Sequence, residues 1–82
     1  MVINIYSIND ALNGFGSPTL QNNDAAAYRS FAEVFKDVFQ PVDYSLWRLG
    51  SFDTETGELI PEVPVVICRA TDFVKGDDNN GK

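Results

Sequence analysis

The chain has 82 residues and carries 6 Lys and Arg against 12 Asp and Glu with no His, so its formal net charge is −6 at pH 7. A chain of this length supports one hydrophobic core and leaves no room for a separate catalytic module. The acidic balance argues against a polybasic DNA-coating protein, because non-specific DNA affinity comes from Lys and Arg that displace counterions from phosphates. We predict a single domain over residues 1–75 and a disordered polar tail over residues 76–82.

The residue inventory excludes several kinds of site. Without His, the chain has no imidazole for acid–base catalysis, for activating a nucleophile or for binding a metal. Its single cysteine, Cys68, has no partner for an internal disulfide or a zinc site. We therefore expect a protein that is not an enzyme, with no catalytic residue, metal or cofactor. No basic segment followed by an apolar one opens the chain, and no window approaches the roughly 18 apolar residues of a membrane span. We expect a cytoplasmic protein without a membrane partner.

The first half of the chain predicts a strand, a long connection and a helix. Val2–Ile8 is rich in β-branched residues, which favours a strand in the centre of a sheet. Residues 9–23 are dense in Asn, Gly, Ser and Pro and predict an irregular connection that is functional or mobile. One of the two asparagines at 22 and 23 is a suitable cap for a helix that runs to about Phe39 and stops at Pro41. Its apolar residues fall on one stripe, which we interpret as core. They are Tyr28, Phe31, Ala32, Phe35, Val38 and Phe39.

The second half predicts strands. Tyr44–Phe52 alternates in polarity, with Tyr44 on the same side as the residues at 46, 48, 50 and 52. Residues 53–57 (Asp-Thr-Glu-Thr-Gly) predict a type I turn with a G1 bulge, so the next residues return antiparallel. Pro61 and Pro64 cannot donate to a ladder and mark an edge or a bend.

Together these elements predict an α+β domain: an antiparallel sheet of three to four strands with one helix packed on one face, in β-α-β-β order. Val65–Arg69 supplies the fourth strand. Because so small a core is marginal, we expect a homo-oligomer, formed through the opposite face of the sheet or through an edge near Val65–Ile67.

Four carboxylates gather at and after the predicted turn: Asp53, Glu55, Glu58 and Glu62. They offer oxygen ligands to a divalent cation, but they lack EF-hand spacing. Charges on an edge strand also prevent unwanted pairing, and we interpret the group as turn chemistry and a solvated acidic edge. An acid–base pair of glycosidase type would need a cleft, which a chain of this size has little room to build.

A second group combines aromatic and basic residues. Trp47 and Arg48 are adjacent, with Tyr44 close by, and rings and Arg displayed on a sheet are the ingredients of single-stranded nucleic-acid binding. The alternative, that one face of this strand packs on the helix and the other is a mixed surface, stays open. Arg29, Arg69 and Lys75 can join Arg48 in a confined positive patch.

Five short motifs occur in fixed order between residue 2 and about residue 64. They are Asn4-Ile5-Tyr6-Ser7-Ile8-x-Asp10; Gly14-Phe15 followed by Pro18-Thr19; Asn23-Asp24 leading into Ala27-x-Arg29-x-Phe31; Asp43-Tyr44-x-Leu46; and Gly50-x-Phe52-Asp53-x-x-Thr56-Gly57-Glu58-x-x-Pro61. Together they resemble the small non-structural protein of gokushovirus-type single-stranded DNA phages, which are microviruses. The resemblance implies a protein made in the infected bacterium and absent from the mature virion. It also implies DNA binding, with a role in the switch from double-stranded replication to single-strand synthesis and genome packaging.

Some motif residues are not explained by backbone chemistry or by the core, and we expect a functional surface among them. They are Asn4, Tyr6, Asp10, Phe15, Thr19, Arg29 and Tyr44.

Our first hypothesis is that an oligomer binds single-stranded DNA, with its acidic edge facing away from the basic residues. The candidate nucleic-acid-binding residues are Tyr6, Arg29, Tyr44, Trp47, Arg48 and Arg69. The alternative is an acidic interaction module that holds a basic partner, such as the phage replication initiator or a host replication factor. A continuous positive groove favours DNA, and a uniformly negative surface favours the protein partner.

Overall fold

The chain forms five strands, one α-helix and a short 3₁₀ helix in the structure, a computed structural model that describes residues 1–36 and 43–73. In chain order the elements are β1 (Val2–Asp10), β2 (Gly14–Phe15), β3 (Thr19–Gln21), α1 (Asp24–Phe35), β4 (Tyr44–Asp53), β5 (Leu59–Arg69) and the 3₁₀ helix (Ala70–Phe73). The α+β class and the antiparallel sheet with one helix are confirmed. The strand count and the β-α-β-β order are wrong in detail, because two short strands precede the helix. The predicted helix end near Phe39, the stop at Pro41 and the tail over 76–82 lie outside the described residues.

Strands β1 and β4 form the centre of the sheet. The order is β2-β1-β4-β5, β3 also pairs with β1, and every pair is antiparallel. The prediction of a central first strand is therefore confirmed. Strand β5 lies at the opposite edge from β2 and β3, as the two prolines indicated.

The predicted irregular connection over residues 9–23 is wrong, because the chain folds back along β1. The Asp10 carboxylate accepts hydrogen bonds from the Leu12 amide at 2.9 Å and the Asn13 side chain at 2.8 Å, which closes a turn. The Gly16 amide then donates to the Ile8 carbonyl at 2.9 Å. Strand β1 has a free edge there, so the turn-forming residues acquire backbone partners and form strands.

Helix α1 begins at the predicted cap and covers one face of the sheet. The Asn23 side chain accepts a hydrogen bond from the Ala26 amide at 2.8 Å, which satisfies one of the donors that a helix start leaves free. The buried residues of α1 are Ala27, Phe31 and Phe35, spaced four apart. Tyr28 was predicted to lie on this stripe, but its side chain is 44% exposed because it points about 100° away from its neighbour at 27.

The hydrophobic core lies between α1 and one face of the sheet. Its members are Tyr6, Ala27, Phe31, Phe35, Leu46, Cys68 and Ala70. The rings of Phe31 and Phe35 are 4.6 Å apart, and that of Tyr44 lies 5.0 Å from Phe35. No element in residues 1–36 and 43–73 packs over the other face of the sheet, which leaves a core drawn from one face.

The turn between β4 and β5 uses the residues that the sequence indicated. Gly57 has a φ of +79°, and the Asp53 carboxylate accepts from the Glu55 amide at 2.9 Å. The Gly57 amide donates to the Asp53 carbonyl at 2.8 Å, so the loop closes with a bond four residues back, one residue longer than a type I turn.

Strand β4 contains a bulge. Consecutive residues Ile5 and Tyr6 of β1 face Gly50 and Arg48 of β4, so Leu49 has no partner on β1. A one-residue slip of this kind exchanges the two faces of a strand. Even-numbered residues of β4 therefore lie on one face of the sheet before Leu49 and on the other face after it.

Candidate nucleic-acid interface

The six predicted nucleic-acid-binding residues lie in three separate places. The cross-strand register places Tyr6, Tyr44 and Arg48 on the face of the sheet that α1 covers, Trp47 and Arg69 on the opposite face, and Arg29 is exposed on α1. The structure therefore does not bring the predicted set together on one surface.

Tyr6 belongs to the core and offers no ring face to a base. Its side chain is completely buried, and its hydroxyl donates to Asp24 Oδ1 at 2.5 Å while accepting from Asn4 Nδ2 at 3.0 Å. Burial, followed by the bond to Asp24, raises the pKa of Tyr6. Alternation along β1 puts Tyr6 on the helix side, so its prediction as a DNA contact is corrected. Tyr44 is half-buried on the same side against Phe35, and its prediction is corrected for the same reason.

Arg48 is already held by two carboxylates. Its Nη1 lies 2.7 Å from Asp24 Oδ2 and its Nε lies 3.2 Å from Glu62 Oε1. The hydrogen bonds to Asp24 and then to Glu62 raise the pKa of Arg48. Two negative charges face one positive charge, so this group repels phosphate. The expectation that the acidic edge faces away from Arg48 is wrong, because Glu62 of that edge binds it directly.

The carboxylate of Asp24 ties the start of α1 to the sheet. It accepts from Tyr6 on β1 and from Arg48 on β4, and Arg48 also reaches Glu62 on β5. The hydrogen bond from Tyr6, opposed by partial burial and aided by Arg48, holds the pKa of Asp24 below its usual range. The group links four elements and has a structural role.

The side of the sheet away from α1, which we call the open face, is largely apolar. Register and alternation assign to it Ile3, Ile5, Phe15, Leu20, Trp47, Phe52, Leu59, Val66 and Arg69. Trp47 and Phe15 contact each other edge to face, with ring centroids 6.0 Å apart and planes at 79°. Within the described residues, no Asp or Glu occupies an open-face position of a strand.

Trp47 is held in place on this face. Its indole Nε1 donates to Ser45 Oγ at 2.8 Å, and its cross-strand neighbour on β1 is Ser7. Both serines are buried although they point away from the helix. The small residues and the hydrogen bond fix the ring, which stays half-buried.

The open face carries an unpaired cation. Arg69 faces Ser45 across the ladder, and its guanidinium has no ion pair among the described residues. Arg29 also has none in that part of the chain, but it lies on α1 and not on this face. The two carry the free positive charge that the described residues can offer to a phosphate.

Phe52 is an aromatic residue of the open face that the sequence analysis assigned to the wrong side of β4. Simple alternation grouped it with Tyr44, Leu46 and Arg48, but the bulge at Leu49 moves it to the opposite face. Phe15 was among the motif residues without a backbone role, which was a usable signal. The bulge also had a local signal, Gly50 beside Leu49, because a glycine inside a strand often marks a bulge.

The sequence offered Cys68 and the carboxylates as further reactive groups. Burial, with a smaller effect of Asp72, raises the pKa of the Cys68 thiol to about 11, so the thiol stays protonated. No cluster of three metal-binding side chains occurs in residues 1–36 and 43–73. An uncharged groove of about 300 Å³ lies between α1 and residues 16–21. No helix in these same ranges combines the length and apolarity needed to cross a membrane.

Comparison with known proteins places the chain in a phage family. Residues 3–73 match the family model described as Phage ORF5 protein, and no curated protein and no solved structure matched. The match continues past residue 64, where the motif resemblance ended, and so includes β5 and its Arg69. Because the match covers most of its length, the chain belongs to the Phage ORF5 protein family.

Proposed function

We propose that this small phage protein binds single-stranded DNA on the open face of its sheet. The observation that carries the proposal is the charge of that face: in a chain of net charge −6, its strand positions in residues 1–36 and 43–73 bear Arg69 and no carboxylate. Bases stack on Trp47, Phe15 and Phe52, and Arg69 contacts phosphate. Aromatic rings beside a cation on a sheet are a sequence-tolerant platform for single strands.

The proposed role is that of the small non-structural protein of gokushovirus-type phages. The protein acts in the host bacterial cytoplasm, holds the strand made during the switch from replication to packaging, and is absent from the virion. This role requires binding and no catalysis. In a chain of net charge −6, a face that bears Arg69 and, among the described residues, no carboxylate is where a phosphate meets the least repulsion, which favours one orientation of the strand.

Trp47→Ala should weaken binding of labelled oligothymidine by about 10-fold, because stacking on one aromatic ring contributes about 1–3 kcal/mol per base. Fluorescence anisotropy at low and moderate salt measures the affinity. The salt dependence should be shallow, since few phosphates are neutralised. Trp47 is the single tryptophan of the chain, so stacking should also quench the intrinsic fluorescence of the unmodified protein.

Tyr28→Ala is the matched control, because Tyr28 is an exposed aromatic on α1, which packs on the opposite face of the sheet. It should leave the affinity unchanged. Absence of binding at micromolar protein and low salt would refute the proposal, and so would an equal loss of affinity in the two variants.

A second candidate function is supported by the acidic turn between β4 and β5. Glu55 and Glu58 are exposed there, with the N-terminal ammonium of Met1 3.4 Å from Glu55 as their nearest cation. Such a turn fits a basic protein partner, for example the phage replication initiator.

Glu55→Gln combined with Glu58→Gln should abolish capture of the initiator by the immobilised protein and leave DNA binding intact. Glu62 stays unchanged in this test, because its contact with Arg48 supports the fold. Equal capture by the double variant and the unmodified protein would remove this candidate.

A further inference from the structure

The two edges of the sheet differ in how well they are protected from pairing with another chain. One edge consists of β2 and β3, which have 2 and 3 residues and are separated by a segment containing Pro18. Short, interrupted edge strands are a common protection against sheet extension. The other edge is β5, with 11 residues, and nothing in residues 1–36 and 43–73 pairs with its outer side.

Protection of β5 is concentrated in its first half. Pro61 and Pro64 lack amide donors, Glu62 adds a charge, and residues 62–64 bulge out opposite the single residue Leu49. Proline, charge and bulges each prevent edge-to-edge pairing.

The second half of β5, Val65–Arg69, is less protected, although it carries one bulge at Ile67, where Val66 and Cys68 face the consecutive residues Trp47 and Leu46. It contains no proline and no carboxylate, and Val65 and Val66 are 38% and 39% exposed. An antiparallel pair formed by this segment gains roughly 4 backbone hydrogen bonds, because the bulge at Ile67 interrupts the ladder and the Arg69 amide already donates to Asp72 Oδ2 at 3.0 Å. The absence of carboxylates within this segment matters because two copies of a chain of net charge −6 repel each other overall.

We propose that two copies of the chain pair antiparallel through Val65–Arg69, so that their two sheets become one. Paired strands share their faces, so both open faces lie on the same side of the joined sheet. The inference rests on the proposed function for its ligand: a single open face has one free cation, Arg69, whereas the joined face has two, on either side of the two-fold axis. The DNA site is incomplete without the second copy.

Light scattering on the unmodified protein without DNA should give a mass of about twice 9.1 kDa. Single cysteines at positions 65, 66 and 67 locate the contact, because a two-fold axis brings the same residue of two copies together only near the axis. Mild oxidation should link one or more of Val65→Cys, Val66→Cys and Ile67→Cys into a disulfide dimer. Cys68 is buried and protonated and does not compete.

Val63→Cys is the matched control on the same strand. Val63 is 83% exposed, more than Val65 or Val66, but pairing centred near residue 67 would separate its two copies by about 27 Å at the rise of a β-strand. Leu12→Cys, 82% exposed at the β1–β2 turn, controls for random collision. Neither should cross-link.

A monomeric mass would overturn the inference. So would a dimer that cross-links at none of positions 65–67, or as readily at 63 or 12, since the copies would then meet through another surface such as the open face itself. The cross-linked dimer is finally offered single-stranded DNA. If it fails to bind, the proposed function is lost while the pairing of the strands stands.

Discussion

Gly50→Ala should lower the free energy of unfolding by about 4 kcal/mol, the sum of backbone strain and overpacking. Gly50 has a φ of +154°, which side chains of L-residues rarely adopt, and an added Cβ would overlap the Ile60 carbonyl oxygen and lie 3.0 Å from the Cα of Pro61. Both contacts are with the backbone of β5, so no rotation of a side chain can relieve them. A domain of this size is stable by only about 5–10 kcal/mol, so much of that stability is lost.

Gly57→Ala tests whether positive φ alone explains such a loss. Gly57 has a φ of +79°, and nothing lies within 4 Å of the position of its added Cβ. We expect it to cost about 1 kcal/mol, the ordinary price of the left-handed conformation. Urea unfolding followed by Trp47 fluorescence compares the two variants. Equal midpoints would show that the close approach of β4 and β5 does not matter.

Asp24→Asn should lower the free energy of unfolding by about 2 kcal/mol, because hydrogen bonds to a charged group contribute about 1.5–3 kcal/mol and this carboxylate is partly exposed. The amide keeps the shape but loses the charge that receives both Tyr6 and Arg48. Glu33→Gln is the control on the same helix: Glu33 is paired with Lys36 at 3.1 Å but is 67% exposed. We expect that change to stay within about 0.5 kcal/mol.

The same carboxylate predicts the direction of acid unfolding. Because its pKa is lower in the folded protein than in the unfolded chain, Asp24 stabilises the fold above the unfolded value of about 3.9. That contribution disappears as the pH falls through the folded pKa. Urea midpoints measured from pH 7 down to acid should therefore converge for the unmodified protein and Asp24→Asn. A constant difference across the series would show that the charge of Asp24 is not what stabilises the fold.

The elements that the sequence predicts well are those with a local physical signal. Asn23 followed by Asp24 marks the helix start because capping involves residues three apart. Gly57 and Asp53 mark the turn for the same reason. These signals need no knowledge of the rest of the chain.

The features that the sequence misses depend on distant residues. The β2 and β3 strands form because the outer edge of β1 is free, and that depends on which strand takes its other edge. The charge of Arg48 is cancelled by residues 24 and 14 positions away in the chain. Local composition shows Arg48 beside a tryptophan, and only the fold shows that Arg48 is already paired with two carboxylates.

The bulge at Leu49 has the largest consequence, and Gly50 beside it was the local signal for it. It moves Phe52 to the open face and leaves Arg48 on the helix face, and it lies opposite the prolines of β5. Alternation along β4, counted without a bulge, assigns half of the strand to the wrong side.

The sheet has one face covered by α1 and one open face, and substitutions on the two faces should be selected for different reasons. In β1, substitutions at Tyr6 and Ile8 affect whether the chain folds, whereas Ile3 and Ile5 lie on the face to which we assign DNA binding, so substitutions there should affect what the folded chain binds. Variation within the family should then alternate with a period of two along this strand: even positions limited by volume, and odd positions following the ligand of each phage. Alternate positions of this one strand would then be constrained by folding and by binding.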